Sequence, residues 1–222
     1  MAMGKMVGII LMGGTGVRFG SDIPKQFHLL DGKKIYLHTL EAFIQSQLFD
    51  SIVLVSHPDW LDIVKEETAG YLVIVTEGGK TRQQSSYFGL LACPLGTEYV
   101  VIHDALRPFV SRDILARNVE QVQIVGAVDT CSPATDTIVH SCDGIMISNI
   151  PPRKEYFQGQ TPQSFAYALI LKAHQETEQK NASDDCSLVL EAGHSVAIVL
   201  GNERNMKITT EWDLILASAR SI

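Results

Sequence analysis

The sequence of 222 residues contains no apolar run approaching the roughly 18 to 20 residues that a bilayer-spanning helix needs. Its first apolar segment, Val7 to Leu11, is too short for the core of a secretory signal and reads instead as a strand. Position 2 is Ala, which excludes N-myristoylation of the chain as written. Cysteine is scarce: Cys93, Cys131, Cys142 and Cys186 form no C-x-x-C pair and no metal-site spacing. With no secretion signal in the sequence as it stands, all four are expected to be buried thiols rather than disulfides, in a cytoplasmic protein. The seven His fall into no H-x-x-x-H or His/Cys cluster, so a structural zinc site is not expected. Positive charge is also in deficit. Eighteen Lys and Arg face 25 Asp and Glu, giving a net charge of −7 and a pI near 5.4. That balance leaves no basic surface for nucleic acid, and neither nucleic acid nor a membrane is an expected partner. No internal repeat, low-complexity tract or linker interrupts the chain.

What is present is apolar and periodic. A hydrophobic content of 45% in a chain of this length suits one substantial core, and residues 1–222 are expected to form a single domain. Strand-like runs fall at Val7–Leu11, Ile52–Ser56, Leu72–Val75, Tyr99–His103, Ala127–Thr130 and Val196–Leu200. Helical spacing marks Leu37 to Ile44, Leu61 to Glu67, Ser85 to Leu91 and a closing segment from Glu211 to Arg220. This alternation predicts an α/β fold: a mainly parallel twisted sheet flanked by helices in a Rossmann-like three-layer sandwich. In such folds ligands bind beyond the carboxyl ends of the strands. Gly13 to Gly20, Gly78 to Arg82 and His103 to Arg107 all directly follow strands, which predicts one shared edge. Residues 136 to 163 break the rhythm, with alternating segments interrupted by Asp143-Gly144 and Pro151-Pro152. They predict a protruding β-ribbon arm whose apolar face is covered by a second subunit, hence a homodimer.

Gly13-Gly-Thr-Gly-Val-Arg18 follows the first strand, and Pro24-Lys-Gln26 lies a few residues on. Residues without Cβ expose backbone N–H groups to an anion, and Arg18 and Lys25 add two fixed cations. That combination suits a triphosphate that is bent and cleaved. A dinucleotide fingerprint is a poor match, because Phe19 stands where its third Gly belongs and no carboxylate ends the strand at Ser56. Gly79-Lys80-Thr81 fails as a Walker A loop, because position 74 is Ile.

Taken with Gly78-Gly-Lys-Thr-Arg82 and Ser85, Val101-Ile-His-Asp-Ala-Leu-Arg-Pro-Phe109, Thr161-Pro-Gln163, Ser183-Asp-Asp185 and Asn205-Met-Lys-Ile-Thr209, these motifs resemble, in order and over essentially the whole chain, the cytidylyltransferase family that makes 4-diphosphocytidyl-2-C-methylerythritol in non-mevalonate isoprenoid synthesis. The ribitol-5-phosphate cytidylyltransferases are a close relative. The resemblance implies an enzyme that joins CTP to a polyol phosphate, with Mg²⁺ or another divalent cation as cofactor. It assigns catalysis to Arg18, Lys25 and Lys207, and nucleotide binding to Met12, Gly13, Gly14, Thr15, Gly16, Gly78, Gly79, Arg82 and Ser85. It assigns the acceptor to Asp104, Arg107, Arg153, Thr161, Ser183 and Asp184, with Asp104 also the metal ligand. Arg153 and Thr161 are expected to reach the acceptor's phosphate across the dimer. Taken alone, Gly78 to Thr81 would also serve as a turn into a helix, Ser183 to Asp185 as a helix cap, and Lys207 as a surface lysine.

The implied reaction is attack of a phosphomonoester oxygen on the α-phosphorus of CTP, releasing pyrophosphate. With a second pKa of about 6, the monoester is already largely dianionic at neutral pH and needs no general base. Lys25 and Lys207 are expected at exposed loop ends. Met12 stands where relatives carry a small residue, which predicts a tighter cradle. Gly126-Ala-Val-Asp-Thr130 and Tyr156 to Phe165 look like the ribitol-phosphate enzymes. Gly78 to Ser85, Asp184 to Leu188 and the compact length look like the methylerythritol enzymes, and methylerythritol phosphate is the favoured acceptor. A non-catalytic nucleotide-binding module is the alternative from another class.

Overall fold

The computed structural model describes residues 5–14 and 23–219. Strand β1 (Met6–Met12) is buried along its whole length, because both of its faces are covered. Met6, Ile10 and Met12 join one core layer, and Val7, Ile9 and Leu11 join the other. Gly8 completes the alternation: a Cβ there would stand 2.8 Å from the Phe43 ring, so the glycine is a seat for an aromatic side chain. Around β1 lie β4 (Ser51–Ser56), β5 (Ile74–Glu77) and β6 (Tyr99–Asp104), all parallel. Strands β7 (Ala127–Pro133), β8 (Phe157–Ala166) and β9 (Ala197–Leu200) extend the sheet to the order β5-β4-β1-β6-β8-β7-β9. A separate two-stranded ribbon pairs β2 (Leu29–Leu30) with β3 (Lys33–Lys34).

Two helix layers complete the sandwich. Tyr36, Leu40 and Phe43 of α1 (Ile35–Ser46) and Ile114, Leu115 and Val122 of α4 (Arg112–Val125) pack into one core cluster. On the other face lie Leu90 of α3 (Arg82–Leu91), Ile170 of α5 (Tyr167–Glu176) and Val189 of α6 (Cys186–Glu191). Val64 of α2 (Leu61–Glu67) joins the first of these clusters, and α7 (Glu211–Ala219) adds Ala217 to a third small cluster with Leu30 and Ile208. Helix α4 is bounded locally: Ser111 Oγ accepts from the Ile114 N–H, and Gly126 ends the helix at φ 81°, a left-handed conformation that favours glycine. No helix among the described residues is long and apolar enough to cross a membrane.

Two expectations shift. The strand expected at Leu72–Val75 lies two residues later, because Leu72 itself is fully exposed and only the following residues pair with β4. The expected arm of 136–163 is shorter: residues 157–163 belong to β8, which inserts antiparallel between β6 and β7. Strand β8 is buried from Gln160 to Phe165, so it is covered by its own chain. The true excursion runs between β7 and β8. It holds a single bridge, His140 to Asn149, and an Asp143-based turn whose Oδ1 accepts from the Ile145 and Met146 N–H groups. The four cysteines are free thiols; Cys131 and Cys186 are buried as expected, Cys93 is half-buried, and Cys142 is exposed on the excursion.

Candidate active site

The carboxyl ends of β1, β5 and β6 open onto one cleft of about 560 Å³. Met12, Gly13 and Gly14 line it from β1, Gly79, Lys80 and Arg82 from the turn after β5, and Asp104 and Leu106 from the end of β6. Thr15, Gly16 and Arg18 lie outside the described residues. Ser85, in the first turns of α3, is the point on which the glycines converge. A Cβ on Gly13 would stand 2.9 Å from Ser85 Oγ, and one on Gly78 3.0 Å from it. Ser85 Oγ donates to the Thr81 carbonyl and accepts from the Gly79 N–H. These glycines therefore make room for Ser85, and Gly79 sits too close to Gln84 for any side chain. Of the expected pair, Gly79 faces the cleft and Gly78 lies behind it. Met12 is buried and packs into the core as well as walling the cleft.

Pro24 leads into a short 3₁₀ turn, Lys25–Phe27, that fixes two side chains with different tasks. Gln26, buried at 2% exposure, donates to the Met12 and Gly14 carbonyls and so pins the start of the glycine loop. Lys25 lines the cleft and donates to the Thr209 carbonyl. It is only 7% exposed, not at an exposed loop end, because that turn tucks it under the 205–209 segment. The same segment is moored to the sheet. Asn205 Nδ2 donates to the Thr161 carbonyl, and the Ile208 N–H donates to the Leu106 carbonyl. Lys207 is thereby held over the end of β6, with about a third of its side chain exposed.

Beside this cleft lies a second, of about 510 Å³, and the two share Arg82, Asp104 and Lys207. Lys207 Nζ is 2.7 Å from Asp104 Oδ2, and Arg82 Nε is 3.6 Å from Asp104 Oδ1. Burial alone would raise the Asp104 pKa, but Lys207 and then Arg82 outweigh it and hold the carboxyl well below the usual range. Arg82 Nη1 also reaches Asp185 Oδ2 at 2.7 Å, and Asp185 Oδ1 faces His174 Nε2 at 2.9 Å. Burial disfavours the Arg82 charge, yet Asp185 and Asp104 more than offset that and fix it as a cation. The shared wall is thus an ionised row of two cations about one carboxylate, with Asp185 buried behind Arg82.

The second cleft is lined by Arg107, Thr161, Ser183 and Asp184, four of the expected acceptor residues. Thr161 is placed in β8 of its own chain, not on a ribbon reaching across a dimer. Its Oγ1 accepts from the Asp104 N–H at 3.1 Å and donates to His103 Nδ1 at 2.9 Å. His103 Nε2 in turn donates to the Arg107 carbonyl at 3.2 Å. This chain of bonds requires the neutral Nε2–H tautomer, in keeping with burial, which pushes the His103 pKa down to about 4. Asp184 both faces the cleft and accepts from the Ser187 N–H in the first turn of α6. Arg153 is exposed at the base of the excursion, donates to the Thr135 carbonyl, and lines neither cleft. Gln163 of the Thr161-Pro-Gln163 motif, together with Asp129 and Gln160, also lines the second cleft, although the sequence assigned none of the three a role. Only a contact across β7 and β8 could reveal them, because Asp129 and Gln163 lie far apart in sequence and meet at 3.1 Å.

A glycine-lined cleft at the edge of a parallel sheet, with an ionised Lys–Asp–Arg row separating it from a second polar cleft, is the arrangement a nucleotidyltransferase needs to hold a nucleotide and a phosphorylated acceptor side by side. Residues 6–220 match the family model for IspD, 2-C-methyl-D-erythritol 4-phosphate cytidylyltransferase. The chain belongs to this family and is a cytidylyltransferase. A 2-C-methyl-D-erythritol 4-phosphate cytidylyltransferase of Desulforamulus reducens is 38% identical, with 98% of this chain and 96% of that protein covered. A ribitol-5-phosphate cytidylyltransferase of Lactiplantibacillus plantarum is 40% identical, with 95% of each covered. The crystal structure of a 4-diphosphocytidyl-2C-methyl-D-erythritol synthase from Anaerococcus prevotii superposes with a TM-score of 0.87 at 29% identity, covering 98% of both chains.

Proposed function

We propose that the protein transfers the cytidylyl group of CTP to D-ribitol 5-phosphate, releasing pyrophosphate and forming CDP-ribitol. The observation that carries the choice of acceptor is where the informative segments lie. Gly126 to Thr130 and Tyr156 to Phe165, the stretches that look like the ribitol-phosphate enzymes, contribute Asp129, Gln160 and Gln163 to the second cleft. Gly78 to Ser85, which looks like the methylerythritol enzymes, contributes Gly79 to Arg82 and Ser85 to the first cleft, where both activities bind the same nucleotide, and only Arg82 to the second. Methylerythritol phosphate remains the second reading, favoured by Asp184 to Leu188, whose Asp184, Cys186 and Ser187 face the acceptor side.

In this reading CTP occupies the first cleft and the acceptor the second, so the reacting phosphates meet at the row of Arg82, Asp104 and Lys207. Lys25 and Lys207, together with Arg18, would offset charge that gathers on the α-phosphate and on departing pyrophosphate. The acceptor's phosphate oxygen is itself the nucleophile, so the neutral His103 holds Thr161 and the Arg107 backbone and takes no proton. A nucleotide-borne Mg²⁺ needs one or two carboxylates, the remaining ligands being phosphate and water. Asp104 at the junction would be the protein ligand, in exchange for Lys207 Nζ at 2.7 Å, and bound Mg²⁺ would supply charge neutralisation of the triphosphate. The excursion exposes Ile145, Met146, Ile147 and Ile150 at 59% or more, which supports a homodimer covering that face. Pyrophosphate release from CTP, measured with ribitol 5-phosphate and methylerythritol phosphate in turn, with and without Mg²⁺, tests the assignment. Higher kcat/KM with methylerythritol phosphate would overturn the acceptor, and sedimentation as a monomer would overturn the dimer.

A further inference from the structure

The second cleft is electrically polarised. At the seam it shares with the nucleotide cleft Arg82 and Lys207 flank the single carboxylate Asp104, and Arg107 is also in its wall, so cations outnumber carboxylates at this end. Arg82 Nη2 and Arg107 Nε are buried and lack a hydrogen-bond partner among the described residues. Buried guanidinium donors without acceptors are costly until an anion meets them. Away from the seam the sign reverses: Asp129 and Asp184 line this cleft and not the other. Asp129 is half-buried and held on two sides, Oδ1 accepting from Gln163 Nε2 at 3.1 Å and Oδ2 from Cys131 Sγ at 3.3 Å. A carboxylate has about four acceptor positions, so these bonds leave capacity for further donors. Gly159 opposite brings no side chain to cover it; a Cβ there would lie 3.5 Å from Asp129 Oδ2.

We propose that Asp129 is a specificity-determining residue that accepts a hydrogen bond from a hydroxyl far from the acceptor's phosphate, the phosphate lying at the Arg82–Arg107–Lys207 end. The proposal rests on the polyol-phosphate reading above and names the group that measures the polyol's length. A fixed carboxylate suits this task, because it accepts from hydroxyls in several orientations and repels a second anionic group. A site built to hydrogen-bond a substrate hydroxyl rejects an analogue lacking it far more strongly than an apolar wall rejects a missing methylene.

The test compares wild-type enzyme with Asp129→Asn and Asp129→Glu on ribitol 5-phosphate, erythritol 4-phosphate (one CHOH shorter) and methylerythritol phosphate. Wild type should prefer ribitol 5-phosphate over erythritol 4-phosphate by at least about tenfold in kcat/KM. Asp129→Asn should lower kcat/KM for ribitol 5-phosphate by about tenfold to 100-fold, mostly through KM, and bring the two acceptors close together. KM for CTP and the melting temperature should stay near wild type. Asp129→Glu, which keeps the charge but displaces it, should shift preference toward the shorter acceptor, and it serves if the Asn variant does not fold. Equal losses on both acceptors, or a matching rise in KM for CTP, would reduce Asp129 to a support for Gln163 and overturn the proposal. Wild-type turnover with unshifted variant kinetics overturns the Asp129 role alone. Inactivity of the wild type on all three acceptors overturns the polyol-phosphate reading and this role with it.

Discussion

Asp185 is the buried end of the row that reaches the active site, and removing it should both destabilise the protein and loosen Arg82. Its carboxylate is 1% exposed and accepts from Arg82 Nη1 at 2.7 Å, while Oδ1 faces His174 Nε2 at 2.9 Å. Asp185→Ala leaves the Arg82 guanidinium with Asp104 at 3.6 Å as its remaining carboxylate partner. Breaking a buried ion pair by deleting one partner costs about 3–5 kcal/mol, and the surviving Asp104 contact places the expectation at the lower end, about 3 kcal/mol. Asp185→Asn keeps one oxygen for Arg82 and turns an amide toward His174, which can accept it by changing tautomer, so about 1.5–2 kcal/mol is expected. Urea denaturation at pH 7 should resolve wild type, Asn and Ala in that order. The sign of the pH dependence provides a second check. Burial would raise the Asp185 pKa, but Arg82 and His174 bring it down to about 2. A group depressed in the folded state stabilises above its unfolded pKa of about 3.9 and loses that contribution as pH falls. The gap between wild type and Asp185→Asn should therefore be constant near neutrality and shrink between about pH 4 and pH 2. Variants within about 0.5 kcal/mol of wild type, or a gap that persists unchanged at pH 2, would refute the reasoning.

Three further outcomes are expected. Lys25→Ala should lower kcat about 100-fold, the cost of one lost cation at a desolvated phosphate, and should also lower the melting temperature because Lys25 is buried; stopped turnover assays and calorimetry separate the two effects. Asp104→Asn should release Lys207 and weaken the Mg²⁺ dependence, so an unchanged metal titration would remove Asp104 from that role. His103, whose pKa burial lowers to about 4, is expected to make the protein lose stability as pH falls below about 6.5, by up to about 1.4 kcal/mol per pH unit. His103→Asn should flatten that slope in pH-dependent denaturation, and an identical slope would assign it to other groups.

The parallel half of the sheet was legible because its strands are covered on both faces. Val7–Leu11 and Tyr99–His103 are apolar without alternation, and they lie within β1 and β6. Strand β8 was not legible. Phe157 to Ala166 carries Gln158, Gln160, Gln163 and Ser164, polar residues that read as a surface ribbon. They are tolerated inside because each buried one finds a partner on another element: Gln163 meets Asp129 and Asp185, Gln160 meets Asn205, and Ser164 meets Asn118. Helix α4 carried its signals in full, with Ser111 and Gly126 at its ends and Ile114, Leu115, Val119 and Val122 at helical spacing on one face. The glycine motifs were legible as a site, but the reason for Gly13 and Gly78 was not, since it lies in the packing of Ser85 Oγ against both, and Gly13 meets Ser85 only through the fold.

The sequence by itself determined the α/β class and the sheet edge onto which the glycine loops open, because local hydrophobic period and motif spacing are properties of neighbouring residues. Resemblance to the family singled out Lys25, Arg82, Asp104 and Lys207, which the fold brings to that edge. Only the tertiary structure decided that Lys25 is buried, and that Thr161 and Asp129 line the second cleft of their own chain. Those facts depend on which strands pair. Inserting β8 between β6 and β7 brings together residues separated by dozens of positions, and no local pattern encodes that pairing. The same insertion sets Asp104 beside Thr161 and Asp129 beside Gln163, and so divides one sheet edge into two clefts with a charged row between them.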